Sequence, residues 1–142
     1  METKVLTRIK IKASIKASID KVWKCWTTPE DIVKWNYASD DWHSPRAEND
    51  LRTGGKFTTR MEAKDGSIGF DFGGIYGKVI INELIEYTTD DDRKVKVSFT
   101  PLNNNTKVTE TFDAESENTI EVQHDGWQSI LNNFKKYVEH NI

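Results

Sequence analysis

Glu110 is the residue whose type and setting could do the most chemistry. In the run Thr106-Lys107-Val108-Thr109-Glu110-Thr111-Phe112 it shares strand parity with Val108 and Phe112, the apolar side of the alternation. A carboxylate on that side is desolvated, which is costly unless a partner or a proton answers it. Such a group orients the polar end of a ligand, contacts a buried partner, or forms half of an acid–base pair. A bulge in the strand would instead turn it outward. Asp71, among glycines beside Tyr76, is a second acid, and its parity points outward.

The other reactive types lack company. Asp40-Asp41-Trp42-His43 offers oxygen and imidazole ligands, but no second His or Cys stands at a ligand spacing, so the segment reads as a solvated loop. His124 and His140 are too far apart along one helix to share a site. Cys25 has no neighbouring His and falls off the apolar face of its helix, which makes it a small filler residue. Seven of the eight glycines lie between positions 54 and 77, yet neither GxGxxG nor GxxxxGK[ST] occurs there, so no phosphate loop is expected. Glu110, Asp71, Tyr76 and His43 form no convergent pair in sequence. No catalytic residue, metal or cofactor is expected, and enzyme activity is disfavoured.

These residues need elements to position them. Val5, Thr7, Ile9, Ile11, Ala13, Ile15 and Ala17 alternate with Leu6, Arg8, Lys10, Lys12, Ser14 and Lys16, the pattern of a long strand with one wet face. Ser18 caps a short helix whose apolar face is Ile19, Val22, Trp23 and Trp26. Thr28 caps the next, with Pro29 at its first position and Glu30 and Asp31 in its first turn, and Ile32, Val33 and Trp35 complete it. Residues 36–53 lack periodicity and read as irregular.

A strand after Gly54-Gly55 carries Phe57, Thr59 and Met61 on its inner side. Asp65-Gly66 turns it back into one with Ile68, Phe70 and Phe72 inside. Gly73-Gly74 and Gly77 imply bulges or sharp curvature. Further strands are expected at 78–87, 93–100 and 106–113, separated by turns at 88–92 and 102–105. Val95, Val97 and Phe99 face inward, with Val108, Glu110 and Phe112. Ile120, Gln123, Trp127, Ile130, Leu131, Phe134, Tyr137 and Val138 recur at three and four, which predicts one long helix capped by Asn118. Gly126 inside it allows close packing or opens space beside Trp127.

The composition fits this layout. With 142 residues and neither a repeat nor a linker, the chain is one domain, 1–142. It is polar on average, yet five Trp, four Tyr and six Phe supply much of the buried area. A net charge of -3 argues against nucleic acid as a partner. One Cys forms no internal disulfide, and METKVLTRIKIK has no apolar core for a signal peptide. The longest aliphatic run, Val79-Ile80-Ile81, is too short to span a membrane. A cytoplasmic protein without membrane insertion is expected, as a monomer or weak homodimer.

A long first strand, two short helices, a run of antiparallel strands and a long final helix describe an α+β helix-grip fold. Its curved antiparallel sheet of about six strands wraps around the C-terminal helix. The residues Ala17-Ser18-Ile19-Asp20-Lys21-Val22-Trp23, Thr28-Pro29-Glu30, Trp35, Gly54-Gly55-Lys56-Phe57, Asp65-Gly66, Arg93-Lys94-Val95, Thr106-Lys107-Val108 and Gly126-Trp127-Gln128-Ser129-Ile130-Leu131 stand in an order and spacing that resemble one family. It is the bacterial branch of the family named for the activator of heat-shock-protein-90 ATPase, within the START/polyketide-cyclase-like (SRPBCC) superfamily.

The resemblance implies an apolar cavity between sheet and final helix that takes lipids, polyketides or other hydrophobic small molecules. Inward parity supplies its lining: Met61, Phe70, Phe72, Phe99, Glu110, Phe112, Trp127, Ile130, Leu131 and Phe134, with Trp35, Tyr37, Trp42 and Tyr76 at the mouth. Taken singly, each ring is equally suited to filling a core. The leading expectation is non-enzymatic binding of a hydrophobic small molecule. The alternatives are a chaperone-interaction module, ranked lower because one domain stands here without a preceding one, and a cyclase- or hydrolase-like enzyme using the same cavity.

Overall fold

The computed structural model describes residues 7–140, so Val5 and Leu6 of the first strand's alternation lie outside the described residues. The chain runs β1 (Arg8–Ile15), α1 (Ile19–Thr27), α2 (Pro29–Trp35), β2 (Trp42–His43), β3 (Ala47–Asn49), β4 (Lys56–Ala63), β5 (Gly69–Ile80), β6 (Leu84–Thr89), β7 (Lys94–Leu102), β8 (Asn105–Asp113) and α3 (Ile120–His140). All strands form one antiparallel sheet in the order β1-β8-β7-β6-β5-β4-β2, with β3 also on β4. The sheet thus has eight strands rather than about six. The two extra strands are short and fall in 36–53, where two or three residues are too few to show a period. Among the described residues no helix is long and apolar enough to cross a membrane.

Alternation sets the sheet's two faces. Ile9, Ile11 and Ile15 of β1 are buried, as are Val95, Val97 and Phe99 of β7 and Val108, Glu110 and Phe112 of β8. The lysines between them point to solvent, the wet face of a one-sided sheet. One turn and one helix cap depart from expectation. The strand expected at 78–87 is interrupted at 81–83: β5 ends at Ile80, Asn82 takes a positive φ of 64°, and β6 begins at Leu84. Ile81 is 72% exposed at this tip. Its aliphatic neighbours hide the turn, because Val79-Ile80-Ile81 reads as strand interior. Thr119, not Asn118, caps α3: its hydroxyl accepts the Val122 amide at 3.1 Å. Asn118 is instead held by Glu115.

The sheet curls where the glycines lie. A Cβ on Gly74 would stand 2.3 Å from the Thr88 carbonyl oxygen, and one on Gly73 would stand 2.6 Å from that of Phe57. Neither position tolerates a side chain, so β5 presses closely between β4 and β6. The register then slips between Tyr76 and Lys78, a bulge at Gly77.

The curl closes on α3, which lies along the edge strand β1. Gln128 donates to the Lys12 carbonyl at 3.2 Å, Lys135 to the Ser14 carbonyl at 2.6 Å, and Glu139 accepts the Lys16 amide at 2.8 Å. One stripe of the helix therefore satisfies backbone groups that an open edge would expose.

Aromatic rings join the layers. Phe134 of α3 is fully buried, its ring 4.8 Å from Trp26 and 4.7 Å from Trp35, while Phe99 of β7 meets Trp23 at 5.2 Å and Trp26 at 5.8 Å. Trp35 donates its indole N–H to the Cys25 carbonyl at 3.0 Å and so locks α2 to α1. Cys25 lies off the Ile19/Val22/Trp26 face yet is buried, because α2 covers the helix from the side. Burial pushes its thiol pKa up, which suits a packing residue.

Truncation of Phe134 to Ala is expected to destabilise the fold by about 3–5 kcal/mol, read by denaturant unfolding. Gly126→Ala should act the other way. A Cβ there meets nothing within 4 Å, so the helix gains roughly 0.5–1 kcal/mol.

Candidate functional site

Away from this aromatic hub the interior is hollow. A cavity of about 260 Å³ lies between α1, α2 and α3 on one side and strands β4, β5, β6 and β8 on the other. Its size is just below the roughly 300–1,000 Å³ of drug-sized sites, which suits a small ligand.

Strand parity delivers most of the wall. Phe57, Thr59 and Met61 project from β4, Phe70, Phe72 and Tyr76 from β5, Ile85 and Tyr87 from β6, and Glu110 from β8. The helices add Trp26, Ile32, Trp35, Trp127 and Ile130, Asn36 joins them from the end of α2, and Arg93 reaches in from the β6–β7 turn. Phe57 is the centre of a ring cluster: its ring lies 4.8 Å from Tyr87, 5.1 Å from Tyr76 and 6.2 Å from Phe72. Phe72 continues to Trp127 at 5.9 Å.

Of the residues expected to line a cavity, the structure brings Trp35, Met61, Phe70, Phe72, Tyr76, Glu110, Trp127 and Ile130 together. Trp35 and Tyr76 are buried wall rather than mouth, and Phe70, 47% exposed beside Trp42 at 6.0 Å, stands at the rim. Trp42 and Tyr37 lie outside the lining, as do Phe99, Phe112, Leu131 and Phe134, which fill the solid core. Phe112 shows the reason: it stacks on Trp127 at 3.8 Å, so Trp127 stands between it and the space. Inward parity marks a side chain as facing the helix. Whether it meets helix or void depends on where the helix lies.

The residues not foreseen carried different signals. Phe57 and Thr59 share the parity of Met61 and could have been included. Tyr87 shares its parity with Ile85 in the expected strand as in β6 and could likewise have been included. Trp26 stands on the expected apolar face of α1, and it serves both the aromatic core and the wall. Arg93 in a turn gave no signal.

Glu110 is the chemical peculiarity of the wall. It is 6% exposed, and among the described residues nothing hydrogen-bonds or ion-pairs with its carboxyl. Desolvation pushes its pKa up to about 8, so the acid is largely protonated at neutral pH and offers an O–H donor. Burial, and then the nearby Glu110 charge, holds the Tyr87 hydroxyl well above its ordinary value. The Tyr76 hydroxyl is already committed, donating to Asn49, whose amide donates in turn to the Thr27 carbonyl. Arg93 is paired to Asp91 at 2.8 Å.

The remaining polar candidates stand elsewhere. Asp71 points outward to Arg60 at 3.5 Å and Arg46 at 3.9 Å. His43 faces Glu62 at 3.7 Å on the β2–β4 pair, outside the cavity lining. Among the described residues no three His, Cys, Asp or Glu side chains gather to hold a metal ion.

The raised acid has a consequence for stability. Folded protein keeps a proton on Glu110 that the unfolded chain releases near the ordinary value of 4.5, so stability declines as pH climbs from about 4.5 to 8. Glu110→Gln removes this slope. The variant should match the parent near pH 5 and exceed it above pH 8, by an amount on the order of a few kcal/mol. Parallel melting curves for the two proteins from pH 5 to 9 would contradict a buried neutral acid.

The architecture and its residues have relatives. No curated protein matches the chain significantly. Among solved structures, an AHSA1-like protein from Aeromonas hydrophila is 46% identical, with a TM-score of 0.89 over 94% of this chain and 93% of that one. A protein from Cytophaga hutchinsonii is 52% identical, with a TM-score of 0.82 over 94% and 93%. A Chromobacterium violaceum protein shares the fold at 23% identity, with a TM-score of 0.84 over 94% and 98%. The family model described as "Activator of Hsp90 ATPase homolog 1-like protein" matches residues 16–139, from the end of β1 to the last turn of α3. The chain belongs to that family.

Proposed function

We propose that this protein binds a small hydrophobic molecule in the cavity between the sheet and α3, by burial rather than by chemistry on the ligand. The observation that carries this reading is a half-buried aromatic hollow holding one acid that no protein group answers. A space lined this way gains about 25 cal/mol for each Å² of apolar ligand surface removed from water, less the cost of ordering the ligand. The wall is mainly aromatic and aliphatic with a minority of polar groups, as in sites that orient a ligand without transforming it. A cyclase or hydrolase would need an acid and a base converging on a substrate atom. Here Tyr76 is tied to Asn49, Arg93 to Asp91, and His43 lies outside.

Trp26, Trp35 and Trp127 on the wall make intrinsic fluorescence a direct probe. A screen of fatty acids, polyketides and small aromatic compounds, followed by NMR titration, should find ligands that shift the resonances of Phe57, Tyr87 and Ile130. Ile130→Trp, which fills the space from a half-buried helix position, is expected to weaken them at least tenfold, about 1.4 kcal/mol. A screen in which no compound perturbs these residues would overturn the reading.

The family match favours a second reading, a module that engages heat-shock protein 90 and stimulates its ATPase. It predicts co-purification with that chaperone and faster ATP turnover on addition of this protein. Unchanged turnover at saturating protein excludes it.

A further inference from the structure

The cavity wall carries one basic and one acidic side chain, and only the basic one has a partner. Arg93 donates from its Nε to Asp91, which in turn accepts the Thr89 hydroxyl. Glu110 has no such partner among the described residues. Its strand neighbours are Ile11 on β1 and Val97 on β7, both apolar. Tyr76, Tyr87 and the already paired Arg93 are the titratable groups on the wall with it. Trp26 from α1, Ile32 and Trp35 from α2, Asn36 just after it, and Trp127 and Ile130 from α3 bring no charge.

An occupant can answer this acid with a hydrogen-bond acceptor or with a positive charge. The surroundings favour the charge. The contacting rings of Phe57, Phe72, Tyr76 and Tyr87, continued by Trp127, surround the space. Aromatic rings attract a cation through their quadrupole, whereas a neutral acceptor gains from them only by burial. We propose that the cavity selects an amphipathic organic cation, its ammonium group held among these rings with the Glu110 carboxylate as counter-ion. This rests on the reading of the cavity as a ligand site and specifies what that ligand carries.

A permanently charged ligand requires Glu110 ionised. Since the free acid titrates near pH 8, binding below that pH releases one proton to solvent. Affinity then falls about tenfold for each pH unit from 8 down to 6. Benzyltrimethylammonium and its neutral isostere neopentylbenzene separate charge from shape. By NMR titration and calorimetry, the cation should bind at least tenfold tighter than the isostere at pH 8.5, with the stated pH slope and proton release. Glu110→Gln should lose both the preference and the slope. The pH series on the unaltered protein tests the proposal even if that variant folds poorly.

Equal binding of the two probes, independent of pH and of Glu110, overturns the cation while leaving hydrophobic binding intact. If neither probe moves the resonances of the lining residues, the cation proposal falls as well. The broader reading falls only if the whole ligand screen also fails.

Discussion

A helix with its side chains is about 10–12 Å across. Seven strands side by side at roughly 4.8 Å span about 30 Å of arc. One helix cannot cover such a sheet evenly, however the sheet curls, and the rest of this structure depends on that mismatch. α3 lies along β1, held there by Gln128, Lys135 and Glu139 on its backbone. The strands near it, β8 and β7, are packed solid by Phe134, Phe99 and Val97. The strands farther away, β4 to β6, curl back at Gly73 and Gly74 towards a helix that cannot fill the space. The hollow forms there, with α1 and α2 closing its end.

The chemistry of the hollow follows from the same mismatch. A carboxyl on the β8 wall would be crushed against apolar side chains if the helix filled the interior. It would be solvated and ordinary if the interior were open. The partial filling leaves Glu110 buried yet facing the cavity, and that burial raises its pKa well above the usual carboxyl range. Nearby polar groups are already used. Asn49 anchors Tyr76, Asp91 anchors Arg93, and Gln123, buried at the start of α3, spends its amide on the backbone of the β8–α3 loop. Of the two fully ionisable side chains on the wall, Arg93 is paired and Glu110 is not.

Membership of the activator-of-Hsp90-ATPase-homologue family explains why a helix grips this sheet. It does not say what the hollow holds, because one scaffold serves many functions and only the site distinguishes them. The Chromobacterium violaceum protein has the same fold at 23% identity, so most side chains can differ while the curl and the gripping helix persist. The informative positions are those that the fold does not need: a buried acid between Val108 and Phe112, and a ring cluster that contributes wall where aliphatic residues would serve the packing.

Alternation and helical periodicity determined the inward faces of β1, β4, β7 and β8 and the apolar stripe of α3. They did so because side-chain direction is a local property of the backbone. They also placed Glu110 inside, since neither of its neighbours offers a reason to bulge. Three things were beyond local pattern. The β5–β6 turn lay inside an aliphatic run, and β2 and β3 were too short to show a period. The division of inward residues into core and cavity wall depended on where α3 comes to rest. Phe112 and Glu110 face the same way from one strand, two residues apart, and yet one is stacked under Trp127 while the other meets empty space. That difference is a matter of distance from a helix packed by long-range contacts, which only the assembled tertiary structure supplies.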